Sequence, residues 1–237
     1  MKVLITGASR GIGRACAELF AKEGYELVLL CKNNLEMLRD LSKELIGKYG
    51  AAVQYMKCDI SSCEEVTALF EKIGEVDIVI HNAAISYVGL LTDMSEKEWD
   101  ETISTNLSSC FYLCKNAVPS MVRKKEGKII LVSSVWGNCG ASMEVAYSTA
   151  KGGVNSFAKA LAKELGPSNI QVNAVAFGIM DTDMNAHLNE EETAAIEEEI
   201  PVGRMGNPME GAEMILQVVK SPAYLTGQVI TMDGGWQ

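Results

Sequence analysis

The chain has 237 residues, room for one α/β domain with an ample core, and its 48% hydrophobic and 22% charged content is that of an ordinary globular protein. A net charge of −10 argues against a nucleic-acid partner, since phosphate binding needs a basic surface. Seven cysteines form no C-x-x-C pair and only His81 and His187 join them, so no metal site is expected, and no apolar run approaches the ~20 residues of a membrane helix. With no signal peptide recognised before the first strand, the expectation is a soluble cytoplasmic protein with reduced thiols.

In chain order, the apolar run 2–6 predicts a first strand and 11–23 a helix, with Thr6-Gly-Ala-Ser-Arg-Gly-Ile-Gly13 between them. Strand, glycine turn and helix make a phosphate cradle. Gly7 allows the tight turn, Gly11 lets the backbone approach a diphosphate and Gly13 permits close helix packing, while the helix start offers unpaired N–H donors. The spacing is G-x-x-x-G-x-G rather than G-x-G-x-x-G, and dinucleotide binding is the expected role.

Further strands are predicted at 25–31, 51–58, 76–81, 127–133, 169–176 and 227–232. Helices are predicted near 34–49, 62–74, 95–125, 146–166 and 208–220. The alternation implies a single-domain Rossmann fold over 1–237, a doubly wound seven-stranded parallel sheet with helices on both faces and a crevice at the carboxyl ends of the strands. A carboxylate after the second strand would accept from the 2′-hydroxyl of NAD and repel the 2′-phosphate of NADP. Cys31-Lys32-Asn33-Asn34 holds no acid there, and Lys32 with Arg10 is suited to pair with a phosphate, so NADP(H) is predicted over NAD(H). Residues 185–207 interrupt the alternation with Leu188-Asn-Glu-Glu-Glu192 and Glu197-Glu-Glu199. By position they predict a substrate lid that excludes water, with glutamates facing solvent; the plainer alternative is a solvated acidic helix.

Tyr147-Ser-Thr-Ala-Lys151 places a tyrosine and a lysine on one face of the helix predicted at 146–166. Bringing a phenol from about 10 to about 7 takes roughly 4 kcal/mol, at about 1.36 kcal/mol per unit. One ammonium at about 4 Å supplies that much at an effective dielectric of about 20. The pair is therefore expected to lower the Tyr147 pKa and make it a general acid.

The glycine turn, Ser134, Tyr147 and Lys151 together resemble the short-chain dehydrogenase/reductase family, and the resemblance runs from Val3 to Trp236. It is supported in order by Asp59, by Asn82-Ala83-Ala84, by Asn106, by Ser134-Val135 and by Asn173-Ala-Val-Ala-Phe-Gly178. The resemblance implies that Tyr147 protonates the developing alkoxide, Ser134 binds the substrate oxygen, Lys151 also holds the nicotinamide ribose and Asn106 completes a proton relay through water. It likewise implies that Ser9, Arg10 and Ile12 contact the cofactor with the turn glycines. Asp59 and Ile60 would meet adenine, Asn82 to Ala84 the adenosine and ribose side, and Gly178, Met180 and Thr182 the carboxamide. Ser134 is preferred to Ser133 because it lies thirteen residues before Tyr147, which matches the family.

Within the family the chain is most similar to the 3-oxoacyl-[acyl carrier protein] reductases, through Met121-Val-Arg-Lys-Lys-Glu-Gly-Lys-Ile-Ile130, Thr182-Asp-Met184 and the stretch from Tyr224 to Trp236. That similarity implies NADPH-dependent reduction of a 3-oxoacyl thioester in fatty acid biosynthesis, an acyl carrier protein as partner and a homotetramer. Alternatives are another alcohol, sugar or polyketide-like carbonyl, or a non-catalytic dinucleotide sensor, which the intact Asn106, Ser134, Tyr147, Lys151 set opposes. Three places depart from the pattern: Phe177-Gly178 stands for Pro-Gly, Ala84 for glycine and Ser168 for an arginine that docks the carrier. The basic run Arg123, Lys124, Lys125 and Lys128 either meets an acidic partner or complements a helix dipole.

Overall fold

The computed structural model describes residues 1–186 and 188–237, so His187 lies outside the described residues. The apolar runs become β1 (Lys2–Thr6), β2 (Glu26–Cys31), β3 (Val53–Lys57), β4 (Ile78–His81), β5 (Gly127–Ser134), β6 (Ile170–Phe177) and β7 (Val229–Met232). All pair in parallel in the order β3-β2-β1-β4-β5-β6-β7. The central strands read as near-continuous Val, Ile and Leu because parallel strands are covered on both faces, and Ile129, Ile130 and Leu131 of β5 are fully buried.

The helices are α1 (Gly11–Lys22), α2 (Leu35–Tyr49), α3 (Cys63–Ile73), α4 (Glu96–Ile103), α5 (Ser109–Lys124), α6 (Trp136–Cys139), α7 (Val145–Leu165), α8 (Glu190–Glu199) and α9 (Pro208–Lys220). Phe20, Leu41 and Ile215 of α1, α2 and α9 close over Leu29 and Val3 on one face. Val66, Leu113 and Val154 of α3, α5 and α7 cover Leu4 and Leu131 on the other. Truncating one such side chain, for example Leu29→Ala, costs about 2–5 kcal/mol. Strand order reverses between β1 and β4, and the crevice opens there at the carboxyl ends.

A π turn and the short helix α6 were not expected from the sequence, whereas α8 matches the alternative of a solvated acidic helix. The helix predicted over 95–125 is broken by a π-helical turn, Ser104–Ser108, between α4 and α5. The turn is one residue wider than an α-helical turn, which side-chain periodicity does not register, and its centre is Asn106. Residues 185–207 contain α8, started by an Asn189–Glu192 capping box and with no buried residue. Glu190, Glu191, Glu192, Glu198 and Glu199 are exposed as expected, but Glu197 is half-buried and accepts from the Met205 amide at 3.3 Å, and Ile200 anchors the segment by packing against Gly234 near the C-terminus. Among the described residues no helix is long and apolar enough to cross a membrane.

Candidate active site

The glycine turn has the geometry its sequence demands. Gly7 and Gly11 have φ of 63° and 53°, the left-handed region that side chains disfavour. A Cβ on Gly13 would lie 2.2 Å from the Gly7 carbonyl oxygen, so only glycine lets α1 start this close to the turn. Asn82 Nδ2 donates to the carbonyls of Thr6 and Gly7 at 3.1 and 3.2 Å, and Thr6 Oγ1 accepts from the Asn82 and Ala83 amides, both at 3.0 Å. Thr6 thus pins the end of β4 to the end of β1, a role that its sequence position between strand and turn did not signal. No side chain caps α1, so its first-turn N–H groups remain available to an anion.

The crevice beyond this turn has a volume of about 470 Å³. Gly7, Ser9, Arg10, Gly11 and Ile12 form its floor, and Lys32, Asp59 and Ile60 one end. Asn82, Ala83 and Ala84 line the middle, with Ser134, Tyr147, Lys151, Gly178, Met180 and Thr182 at the other end. Two predicted site residues stand behind the wall: Gly13 beneath the turn and Asn106, which is fully buried. Asn106 pairs both ways with the Ile85 backbone, accepting at 2.9 Å and donating at 2.8 Å. A recess of about 700 Å³ between α8 and α9 contains none of the predicted catalytic residues.

Tyr147 and Lys151 share the first turns of α7, with Lys151 Nζ 5.5 Å from the Tyr147 ring centroid. The ammonium donates to the Val132 carbonyl at 2.8 Å, and burial lowers its pKa to about 8. The predicted fall of the Tyr147 pKa toward 7 is not found. Burial, with the Glu144 carboxylate adding to it, holds the phenol well above its ordinary range, and a hydrogen bond with Ser134 only partly opposes them. The desolvation of a phenolate outweighs any pull from the ammonium, so the phenol keeps its proton at neutral pH. Ser134 Oγ accepts from the Trp136 amide at 3.2 Å, whereas the Ser133 hydroxyl donates to the Lys151 carbonyl at 3.3 Å.

A family model described as Enoyl-(Acyl carrier protein) reductase matches residues 7–237. The chain belongs to the short-chain dehydrogenase/reductase family. Over 98% of its length it is 40% identical to "Uncharacterized oxidoreductase YmfI" of Bacillus subtilis, covering 97% of that protein. It is 39% and 38% identical to "3-oxoacyl-[acyl-carrier-protein] reductase FabG" of Aquifex aeolicus and of Escherichia coli, over 98% of this chain and 95% of each relative. These names span reduction of a carbon–carbon and of a carbon–oxygen double bond, so membership makes the protein an oxidoreductase without naming its substrate.

In this short-chain oxidoreductase both cations expected to meet a phosphate have carboxylate partners. Lys32 Nζ lies 2.7 Å from Asp59 Oδ2 and Arg10 NH1 3.4 Å from Asp183 Oδ2. Both pairs are partly exposed, and such pairs are worth about 0–1 kcal/mol, so a phosphate dianion can displace either carboxylate. Asp183 follows Thr182 and was within reach of sequence reasoning, but nothing in the sequence pairs it with Arg10. A Cβ on Gly178 would fall 2.8 Å from Asp233 Cα, which explains the glycine, and the Phe177 ring packs into the core at 3% exposure. Glu144 was also missed. Its carboxylate accepts from Ser86 Oγ at 3.3 Å at the crevice edge.

The basic run has local partners. Arg123 pairs with Glu75 at 2.8 Å and Lys124 with Asp77 at 2.9 Å, while Lys128 Nζ donates to the carbonyls of Val219 and Ser221 at the C-terminal end of α9. It flanks the start of β5, whose eight residues separate Gly127 from Ser134. At ~3.3 Å per residue that is roughly 23 Å. The run therefore lies at the amino-terminal end of β5, the opposite end from the crevice.

Proposed function

We propose that the protein reduces a ketone to a secondary alcohol with NADPH, and that its substrate is a 3-oxoacyl thioester. The observation that carries the reading is the meeting of Ser134, Tyr147 and Lys151 at one end of a crevice whose floor is the open N-terminus of α1. Bound NADPH supplies the hydride. Tyr147 holds the proton that the developing alkoxide takes up, and its raised pKa is consistent with a phenol that starts protonated. Ser134 donates to the substrate oxygen, the Lys151 ammonium stabilises charge beside the phenol, and Asn106 completes a proton relay through water. Arg10 and Lys32 hold the 2′-phosphate, Asp59 and Ile60 the adenine, Asn82 to Ala84 the adenosine ribose, and Gly178, Met180 and Thr182 the carboxamide. The segment 185–207 acts as the lid of this single catalytic domain. The relatives named as 3-oxoacyl-[acyl-carrier-protein] reductases support the thioester and a cytoplasmic place in fatty acid biosynthesis. In a homotetramer the basic run would serve an acidic carrier across a subunit boundary, since it cannot do so at its own crevice.

A second reading, a reductase of another alcohol, sugar or polyketide-like carbonyl, is supported by the similarity to a relative named only as an oxidoreductase. The deciding experiment is NADPH oxidation with a panel of ketones that includes acetoacetyl thioesters, free and carrier-bound, and neutral and positively charged small ketones. Turnover of the thioesters supports the first reading, and turnover confined to the small ketones supports the second. No turnover with any carbonyl, with NADPH bound, refutes both.

A further inference from the structure

His81, the last residue of β4, is 1% exposed and takes no part in the mechanism above. Its Nε2 lies 2.6 Å from Ser109 Oγ at the start of α5. The Ser109 hydroxyl donates its own hydrogen to the Thr105 carbonyl, also at 2.6 Å, so toward His81 it acts as acceptor and the imidazole carries its proton on Nε2. Nδ1 is then a bare acceptor, buried and without a partner among the described residues. Burial and the nearby Lys151 ammonium hold the ring neutral, with a pKa near 3.

Thr105 belongs to the π turn, lines the crevice and precedes Asn106. A π turn is a local departure from the α-helical ladder, found mostly at functional sites. Two attachments tie this one to β4 and the loop that follows it: the Asn106 amide on the Ile85 backbone, and the Ser109 hydroxyl between His81, the last residue of β4, and Thr105. The turn also packs against α7, which carries Tyr147 and Lys151. Movement of the turn would therefore shift the buried end of the proton relay relative to the lysine.

We propose that His81 is a positioning residue for the reduction: its Nε2–H, through Ser109, clamps the π turn to β4 and so holds Asn106 in register with Lys151. The inference rests on the reductase reading given above.

The test compares kcat and KM in the wild-type enzyme, His81→Gln, His81→Asn, Ser109→Ala and the His81→Asn/Ser109→Ala double variant, using a ketone that the wild type turns over. A glutamine amide reaches the Nε2 position and can donate to Ser109, whereas asparagine reaches only the Nδ1 position. His81→Asn and Ser109→Ala should each lower kcat on the order of 10–100-fold with KM for NADPH changed by less than about threefold. The double variant should be no worse than either single one, and His81→Gln should recover most of the loss. NMR of the two histidines provides a readout independent of turnover: a slowly exchanging Nε2–H signal of His81 that Ser109→Ala abolishes. Wild-type turnover in folded His81→Asn, additive losses, or a proton on Nδ1 would each overturn the clamp. If His81→Asn does not fold, Ser109→Ala and His81→Gln decide by the same criteria. If the wild type reduces no ketone, the reductase reading fails while the NMR arm still decides the clamp.

Discussion

Lys151 directs its Nζ at the carbonyl of Val132, 2.8 Å away on β5, and stands 5.5 Å from the centre of the Tyr147 ring. The strand fixes where the ammonium sits, and the helix fixes the tyrosine beside it. A buried lysine held this way keeps a charge that is easily lost, while the half-buried tyrosine, desolvated by the protein around it, keeps a proton that is hard to lose.

Tyr147→Phe keeps the ring and removes the proton donor. Turnover should fall by ~10²–10⁴ with NADPH affinity retained. Single-turnover kinetics with a fluorescence titration of NADPH checks this, and near-normal turnover in the variant would rule out Tyr147 as the acid.

If the proposed reduction requires a charged Lys151, its lowered pKa of about 8, against the usual 10.5, sets the pH dependence. The ammonium is present below that value and lost above it, so kcat for reduction should decline as pH rises through about 8 with the loss of one proton. A pH–rate profile flat to pH 10 would contradict this assignment.

Neither Arg10 nor Lys32 meets a carboxylate on the second strand, and both hold exposed ion pairs that a phosphate can displace. NADPH should be preferred to NADH, and Lys32→Glu should reverse the preference while repelling Asp59. Equal kcat/KM for the two cofactors in the unmodified protein would remove the phosphate site.

His81 titrates near 6.5 in an unfolded chain and near 3 in the folded one. Below about 6.5 the unfolded state therefore binds a proton that the native state refuses. Stability should fall as pH falls through this window, by at most about 1.4 kcal/mol per unit from this residue, and be fully present above it. Urea unfolding of the wild type and His81→Gln between pH 4.5 and 6.5 measures the effect. Identical slopes would show that the imidazole is not held neutral.

Arg123 and Lys125 lie just before β5, and the proposed docking of an acidic carrier on this basic run can be tested there. The efficiency of a carrier-bound thioester should fall with salt more steeply than that of a small neutral analogue, as the Debye length shrinks to about 8 Å. Arg123→Gln with Lys125→Gln should flatten only the carrier curve. Parallel curves would favour the small-carbonyl reading. Lys128 is unsuitable for this test: its hydrogen bonds to Val219 and Ser221 are structural, and Lys128→Ala should cost about 1–3 kcal/mol of stability.

The sequence by itself determined the parallel sheet, the glycine turn and the Tyr147–Lys151 face, because each is a local pattern: strand-length apolar runs, glycines where the backbone is tight, and a four-residue helical step. It also placed nearly every predicted site residue on the crevice, since in a doubly wound fold residues just after the strands converge there. Only the tertiary structure decided the π turn around Asn106, the pairing of Lys32 with Asp59 and of Arg10 with Asp183, the local partners of the basic run and the contact of His81 with Ser109. These depend on which groups meet across distant parts of the chain. The direction of the Tyr147 pKa was decided there too, because helix spacing brings a lysine near but does not reveal how much water the folded chain takes away.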